Sequence, residues 1–271
     1  MSATLHRAVD ALAALPGIHH WRQQRYNAAF DAGHHVGGFR GVFATAAQAA
    51  ASAPPAQATG YDQPEAAAMY RDRIGRLYPS DYPAMLWLRR AMDDGARRVL
   101  DLGGHVGIAF HSYQKAMPYP EGLDWLVCDV PAVARAGTEL AEVMRRPAGT
   151  QLAFTSDWGE ADGRELLFSA GCLQYLEETL GQRLAALTRR PRWLVVNLLP
   201  LHEHEAYWTL QHIGAACCPY RIQRRAAFFD ELQALGYQVL DTWDNLEKRC
   251  DVAFRPDLSL DHYVGAALRL A

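Results

Sequence analysis

Long apolar runs are missing from this 271-residue sequence: none approaches the roughly 18 residues that cross a bilayer. The opening Met1-Ser2-Ala3-Thr4 has no basic-then-apolar signal pattern. These two absences set the expectation of a cytoplasmic protein with no membrane partner. Cysteine is scarce. Five residues, an odd number without regular spacing, fit a reducing compartment better than a disulfide scaffold. An excess of one charge is missing as well. The chain has 27 Lys and Arg against 30 Asp and Glu, a net charge of -3. The pairs Arg145-Arg146, Arg189-Arg190 and Arg224-Arg225 read as solvated helix faces, so no nucleic-acid surface is expected. No internal repeat is present. Two nucleotide signatures are also absent: the only glycine-rich turn after a strand fits neither G-x-G-x-x-G nor the Gly-Lys-Ser/Thr ending of a P-loop.

What is present suits one globular domain, or one with an appended cap: 50% hydrophobic and 21% charged residues. The chain is organised around Arg97-Arg98-Val99-Leu100-Asp101-Leu102-Gly103-Gly104-His105-Val106-Gly107. Val99, Leu100 and Leu102 make a buried strand that ends in an acid and runs into a glycine loop. A helical pattern follows. Strand, glycine turn and helix form the entry to a nucleotide site in a doubly wound fold. Asp101, Gly103 and Gly107 resemble the first motif of the class I S-adenosylmethionine-dependent methyltransferases, an acid followed by G-x-G-x-G, with His105 where the middle glycine is usual.

Residues 1–95 read as helical and irregular, with no convincing strand, and are expected to form an N-terminal helical cap. Leu5, Val9, Leu12 and Leu15 recur at helical spacing until Pro16 ends the run. Trp21–Phe30 is a second helix. Thr45 caps an Ala-rich third, and 64–76 and 81–92 follow, the last with Ser80 as its N-cap. From residue 96 to 271 strands alternate with helices. Strands are expected at 98–102, 123–129, 151–155, 165–169, 193–198, 237–243 and 262–270, the last pair antiparallel for want of a helix between them. This predicts a mainly parallel, seven-stranded α/β sheet with one antiparallel edge strand, the class I methyltransferase arrangement.

Ligands of such sheets lie outside the carboxyl ends of the strands. Asp129 ends the second strand and suits two ribose hydroxyls. It stands somewhat beyond the ~20-residue spacing of nucleotide folds, the turn Pro118-Tyr119-Pro120 supplying the excess. The resemblance implies that S-adenosylmethionine contacts Asp101, Gly103, Gly104, His105 and Gly107, then Asp129 and Val130. It places Ser156-Asp157-Trp158 at the adenine and Ser169-Ala170-Gly171 with Tyr175 at the methionine part. Gln174 and Tyr175 would face the reaction center. The stretches Val99 to Gly107, Trp125 to Asp129, Leu167 to Glu177, Leu194 to Pro200 and Pro219-Tyr220, with Phe39-Arg40-Gly41-Val42-Phe43 and Gly60-Tyr61-Asp62, resemble a little-characterised bacterial methyltransferase-like family. Some of its members are associated with surface polysaccharide synthesis. The resemblance covers most of the chain.

Pro200-Leu201-His202-Glu203-His204-Glu205 follows the fifth strand. His202 or His204 is expected to act as general base. A metal site completed by Cys217, Cys218 or His212 is the competing reading, and without C-x-x-C no metal is assigned. Tyr207, Trp208, Tyr220 and Arg221 are expected to line an acceptor pocket. The expected activity is methyl transfer to a hydroxyl or amine of a small molecule, such as a sugar or sugar nucleotide. A binding or regulatory module without turnover is the alternative, favored by His105 in the loop. Intramolecular substitution at the sulfonium, a cyclization, is a variant, and a nicotinamide enzyme is disfavored by the missing fingerprint.

Overall fold

A computed structural model describes residues 16–63, 65, 69 and 71–271. The expected helix over Leu5–Leu15 lies outside these residues, and of 64–76 only a 3-10 turn at Arg71–Arg73 is described as an element. The elements are α1 (Pro16–Asp31), β1 (Phe39–Phe43), α2 (Ala46–Ala51), β2 (Ala58–Thr59), α3 (Asp81–Asp93), β3 (Arg98–Leu102), α4 (Ile108–Tyr113), β4 (Leu123–Cys128), α5 (Pro131–Val143) and β5 (Thr150–Thr155). There follow β6 (Leu166–Ala170), α6 (Leu180–Ala185), β7 (Trp193–Leu199), β8 (Leu201–His202), β9 (Tyr207–His212), β10 (Ala216–Arg224), α7 (Arg225–Ala234), β11 (Tyr237–Asn245) and β12 (Tyr263–Leu270).

Seven strands form the main sheet in the order β11-β12-β7-β6-β3-β4-β5. Strands β3 to β7 are parallel, and β12 runs antiparallel to both β7 and β11. The antiparallel strand therefore sits one place in from the edge, which β11 occupies. Alternation along the strands splits the core in two. Val99, Phe168 and Val195 face α3, whose Leu88, Ala91 and Met92 are buried. Leu100, Leu167 and Leu194 face α6 and α7 with Leu184, Phe228 and Leu232. A sheet covered on both faces explains why its strands are continuous apolar runs in the sequence.

The expectation that no strand precedes residue 96 is corrected. Strand β1 pairs antiparallel with β9, β9 with β10, and β10 runs parallel to the short β2 and β8. This second sheet joins segments from before β3 to segments inserted between β7 and β11. It packs Phe39, Tyr207, Tyr220 and Ile222 against Val252, Leu258 and Tyr263. Pro16 begins α1, in keeping with the fit of proline to a first helical turn. Thr45 caps α2 by accepting the Gln48 N–H at 3.2 Å. Ser80 precedes α3 without a side-chain capping bond. Its own N–H donates to Glu247 Oε1 at 3.0 Å, and the Asp81 carboxylate receives the Tyr78 N–H at 2.8 Å.

Candidate functional site

Strand β3 carries Asp101 on the same face as Val99, under Trp125. Asp101 is 1% exposed. Its Oδ2 accepts from Trp125 Nε1 at 3.0 Å, and Oδ1, also buried, has no partner among the described residues. Burial, opposed by the Trp125 bond and aided by the nearby Asp129 charge, pushes the carboxyl up to about 7. The loop closes directly over this group. A Cβ on Gly104 would lie 2.3 Å from Asp101 Oδ2, and one on Gly103 would lie 2.2 Å from the Cβ of Cys172. Both positions therefore demand glycine for close approach, and Gly103 adds a left-handed φ of 73°. His105, where the methyltransferase motif has its middle glycine, adopts φ 55° and is buried.

Asp129 follows β4 and ties the two loops together. Its Oδ2 accepts the His105 N–H and its Oδ1 the Val130 N–H, each at 2.8 Å. Burial raises this carboxyl above its ordinary range, against the lowering effect of the two backbone donors. Each oxygen keeps a second lone-pair direction for a ligand hydroxyl. After β5, Asp157 Oδ1 accepts the Gly159 N–H at 2.7 Å and caps a short 3-10 turn at an exposed position. Ser156 is exposed beside it. Trp158 is half-buried, with the Arg183 guanidinium 5.4 Å from the ring center.

The loop after β6 is more mixed. Ser169 is fully buried, and its hydroxyl donates to the Leu102 carbonyl at 2.9 Å. It braces β6 to β3. Ala170 and Gly171 are half-buried at the strand end, and Gly171 donates to the Asn197 carbonyl at 3.0 Å. Gln174 is 4% exposed, with Oε1 unpartnered. The Tyr175 hydroxyl donates to Gln211 Oε1 at 2.6 Å, and its ring packs between Tyr61 and Tyr220. It links the main sheet to the second one.

Asn197, near the end of β7, is fully buried and has a bonding role that no sequence motif announces. The pairing of β7 with β12 shifts register between Leu199↔Val264 and Val196↔Ala266, so Asn197 and Leu198 stand opposite Gly265 alone. This bulge turns Leu198 to φ 56° and aims Asn197 into a polar cluster. Asn197 Nδ2 donates to the Ser80 carbonyl at 2.8 Å, while its Oδ1 accepts from Trp243 Nε1 and Asn245 Nδ2, each at 3.0 Å. Nearby, the Tyr113 hydroxyl donates to Asp81 Oδ1 at 2.9 Å. Burial raises the Asp81 carboxyl above its usual range. The one signal in the sequence was a lone Asn within the apolar run Trp193–Leu199.

The histidine pair lies elsewhere. His202 Nδ1 accepts the N–H groups of His204 and Glu205 at 3.1 and 2.9 Å. Its Nε2 therefore carries the proton and faces the Asp257 carbonyl at 3.3 Å. Both ring nitrogens hold a turn. His204 is exposed beside it. The two line a cavity of about 610 Å³ with Val42, Phe43, Arg255 and Asp257, and no lining residue comes from the loops after β3, β4, β5 or β6.

Of the expected acceptor residues, Tyr207 lines that same cavity and donates its hydroxyl to the Leu258 carbonyl. Tyr220 is 2% exposed and donates to the Tyr263 hydroxyl at 2.8 Å, packed in the cluster of Phe39, Tyr207 and Ile222. Arg221, stacked 5.4 Å from the Trp208 ring center, donates to the Glu177 and Glu178 carbonyls, both at 2.9 Å. Cys217 and Cys218 are buried, and burial raises their thiols. Among the described residues no group of three or more His, Cys, Asp or Glu side chains is arranged to hold a metal ion.

A parallel sheet whose one antiparallel strand is the last, with a glycine loop after β3 and an acid after β4, decides the architecture. The fold is that of the class I methyltransferases. No family model matches the sequence, and no curated protein matches it either. Solved structures with this fold do. The CcbJ methyltransferase from Streptomyces caelestis is 16% identical over 78% of this chain and 97% of its own, with a TM-score of 0.44. The 1,6-didemethyltoxoflavin-N1-methyltransferase from Burkholderia thailandensis, solved with its namesake compound and S-adenosylhomocysteine, is 18% identical over 71% of this chain and 79% of its own, TM-score 0.42. The mitomycin 7-O-methyltransferase MmcR is 16% identical over 96% of this chain and 70% of its own, TM-score 0.45. The assignment of the fold to this chain rests on its own strand order.

Proposed function

We propose that this protein binds S-adenosylmethionine at the carboxyl ends of β3, β4 and β5 and transfers its methyl group to a hydroxyl or amine of a small molecule. One observation carries the reading: the buried Asp101 oxygen without a partner, under a glycine loop fixed by Asp129. A buried carboxyl raised to about 7 and short of one bond is complemented by a cation, which favors its charged form, and this cofactor bears an ammonium and a sulfonium. Asp101 would hold the methionine end, Asp129 the ribose hydroxyls, and the exposed Asp157 the adenine amine. When bound, the cofactor supplies an electrophilic methyl carbon.

The protein's part is alignment and exclusion of water. Asp129 fixes the loop through His105 and Val130, and the Asn197 cluster fixes the end of β7 against the start of α3. The second sheet would cover the acceptor side. A sugar or sugar nucleotide fits the resemblance drawn from the sequence. Five free cysteines suit a reducing, cytoplasmic compartment.

Calorimetric titration with S-adenosylmethionine, S-adenosylhomocysteine and NAD tests this. Micromolar binding of the first two and none of NAD is expected. Binding of NAD alone, or of none of the three, overturns the reading. Binding of both methionine cofactors with no turnover on any hydroxyl or amine acceptor would favor the regulatory module.

A further inference from the structure

Two buried side-chain amides stand at the carboxyl ends of adjacent strands, and the protein treats them differently. Asn197 on β7 is fully buried and makes three side-chain hydrogen bonds, to Ser80, Trp243 and Asn245. Gln174, just past β6 in the 3-10 turn Leu173–Tyr175, is 4% exposed. Its Oε1 is buried without a partner among the described residues. A buried amide oxygen left unbonded costs stability, and folded proteins rarely keep one without a use for it. The neighboring Leu173 is core, as Gln174 would be if it served only packing.

The surroundings show where the amide is placed. A Cβ built on Gly171 would lie 3.7 Å from Gln174 Nε2 and 3.7 Å from the Cβ of Leu198. The amide and Leu198 thus flank the backbone of Gly171, with no side chain between them. Leu198 is brought there by the β7 bulge, in a left-handed conformation that a branched side chain resists. A strained residue, a bare glycine and an unbonded amide oxygen meet at the strand ends, where ligands of this architecture lie.

We infer that Gln174 reads the acceptor, and that the acceptor is a neutral group that donates one hydrogen bond and accepts another, as adjacent hydroxyls of a sugar do. This rests on the methyl-transfer reading above. The amide carries no charge and offers a donor and an acceptor on one flat end. Paired hydroxyls match both. A carboxylate matches only the donor, and an ammonium only the acceptor.

The test compares wild type with Gln174→Met, which keeps length and removes both polar atoms, and Gln174→Glu, which keeps only acceptors. S-adenosylhomocysteine affinity is measured by calorimetry. Thermal shifts are then read on the S-adenosylhomocysteine-loaded proteins with the methyl glycosides of glucose, galactose and fucose as probes. Gln174→Met is expected to melt no lower than wild type and to bind S-adenosylhomocysteine within twofold. It should lose at least tenfold in affinity for the glycoside that stabilises wild type, with Gln174→Glu weakened as well. A tenfold loss of S-adenosylhomocysteine affinity in Gln174→Met would assign the amide to the cofactor and overturn the inference. So would equal glycoside responses in wild type and variant, or none in loaded wild type. Failure of wild type to bind S-adenosylhomocysteine at all is a separate result, which removes the methyl-transfer reading itself.

Discussion

The backbone N–H of His105 donates to Oδ2 of Asp129 at 2.8 Å, so the loop after β3 is held by the residue that ends β4. The bond explains how a non-glycine residue is tolerated at φ 55°. A left-handed backbone costs a side chain roughly 1–2 kcal/mol, and a hydrogen bond to a charged acceptor returns about 1.5–3 kcal/mol. His105 therefore replaces the middle glycine of the motif without opening the loop.

Replacing Asp129 by Ala removes the acceptor for two backbone N–H groups. Affinity for S-adenosylhomocysteine is expected to fall at least about tenfold, equivalent to some 1.4 kcal/mol. The far-ultraviolet circular dichroism should stay that of wild type. Calorimetry with unchanged affinity would remove Asp129 from the ribose site.

Asp101 gives a pH dependence with a defined sign. Its carboxyl is raised from 3.8 to about 7 in the folded chain. Between those values the folded state holds a proton that the unfolded state has lost, so this group's contribution to stability falls as pH rises through that window. Urea midpoints of wild type should drop from about pH 5 to about pH 8 by more than those of Asp101→Asn. Wild-type affinity for S-adenosylhomocysteine, which carries an ammonium, should rise over the same range, and the variant's should not.

Gly103→Ala would place a methyl group 2.2 Å from the Cβ of Cys172. Overpacking and the left-handed backbone together are expected to cost roughly 2–4 kcal/mol. Cys172→Gly in the same chain should recover the overpacking part. A double-mutant cycle read by thermal unfolding checks it, and additive losses would show that the two sites do not touch.

His202 and His204 separate in the same way. His202→Ala frees the N–H groups of His204 and Glu205 and should lower stability by about 0.5–1.5 kcal/mol. His204→Ala should leave the melting temperature alone. Neither variant is expected to change turnover more than about twofold, since proton transfer by a positioned base is worth roughly 100-fold or more. A loss of that size in either would support the general-base role.

The main sheet was legible because strands buried on both faces are continuous apolar runs, as in Trp193–Leu199. The strand-end acids Asp101 and Asp129 were legible for a related reason: each closes such a run. The second sheet was not. Phe39–Phe43 holds Arg40 and Gly41, and Ala216–Arg224 holds Pro219, residues that local patterning reads as loop. Their pairing is decided by distant partners, Phe39 with Gln211 and Cys217 with His212. The backbone partners of His202 were not legible either, since a His-x-His loop does not show which N–H groups its rings will accept. Asn197 carries no trace in sequence of Trp243 or Asn245, which lie on another strand.

The second sheet also sets an order of events during synthesis. Strand β1 leaves the ribosome long before β9, its partner, has been translated. Until then Phe39 and Phe43 belong to an unpaired edge with nothing to cover it. A nascent chain stalled after β7 would have made the five parallel strands β3 to β7, yet would still display that edge to chaperones and to its neighbors on the same message. Slow codons between β7 and β9 would lengthen this exposure, whereas slow codons after β10 would let the sheet close before α7 emerges.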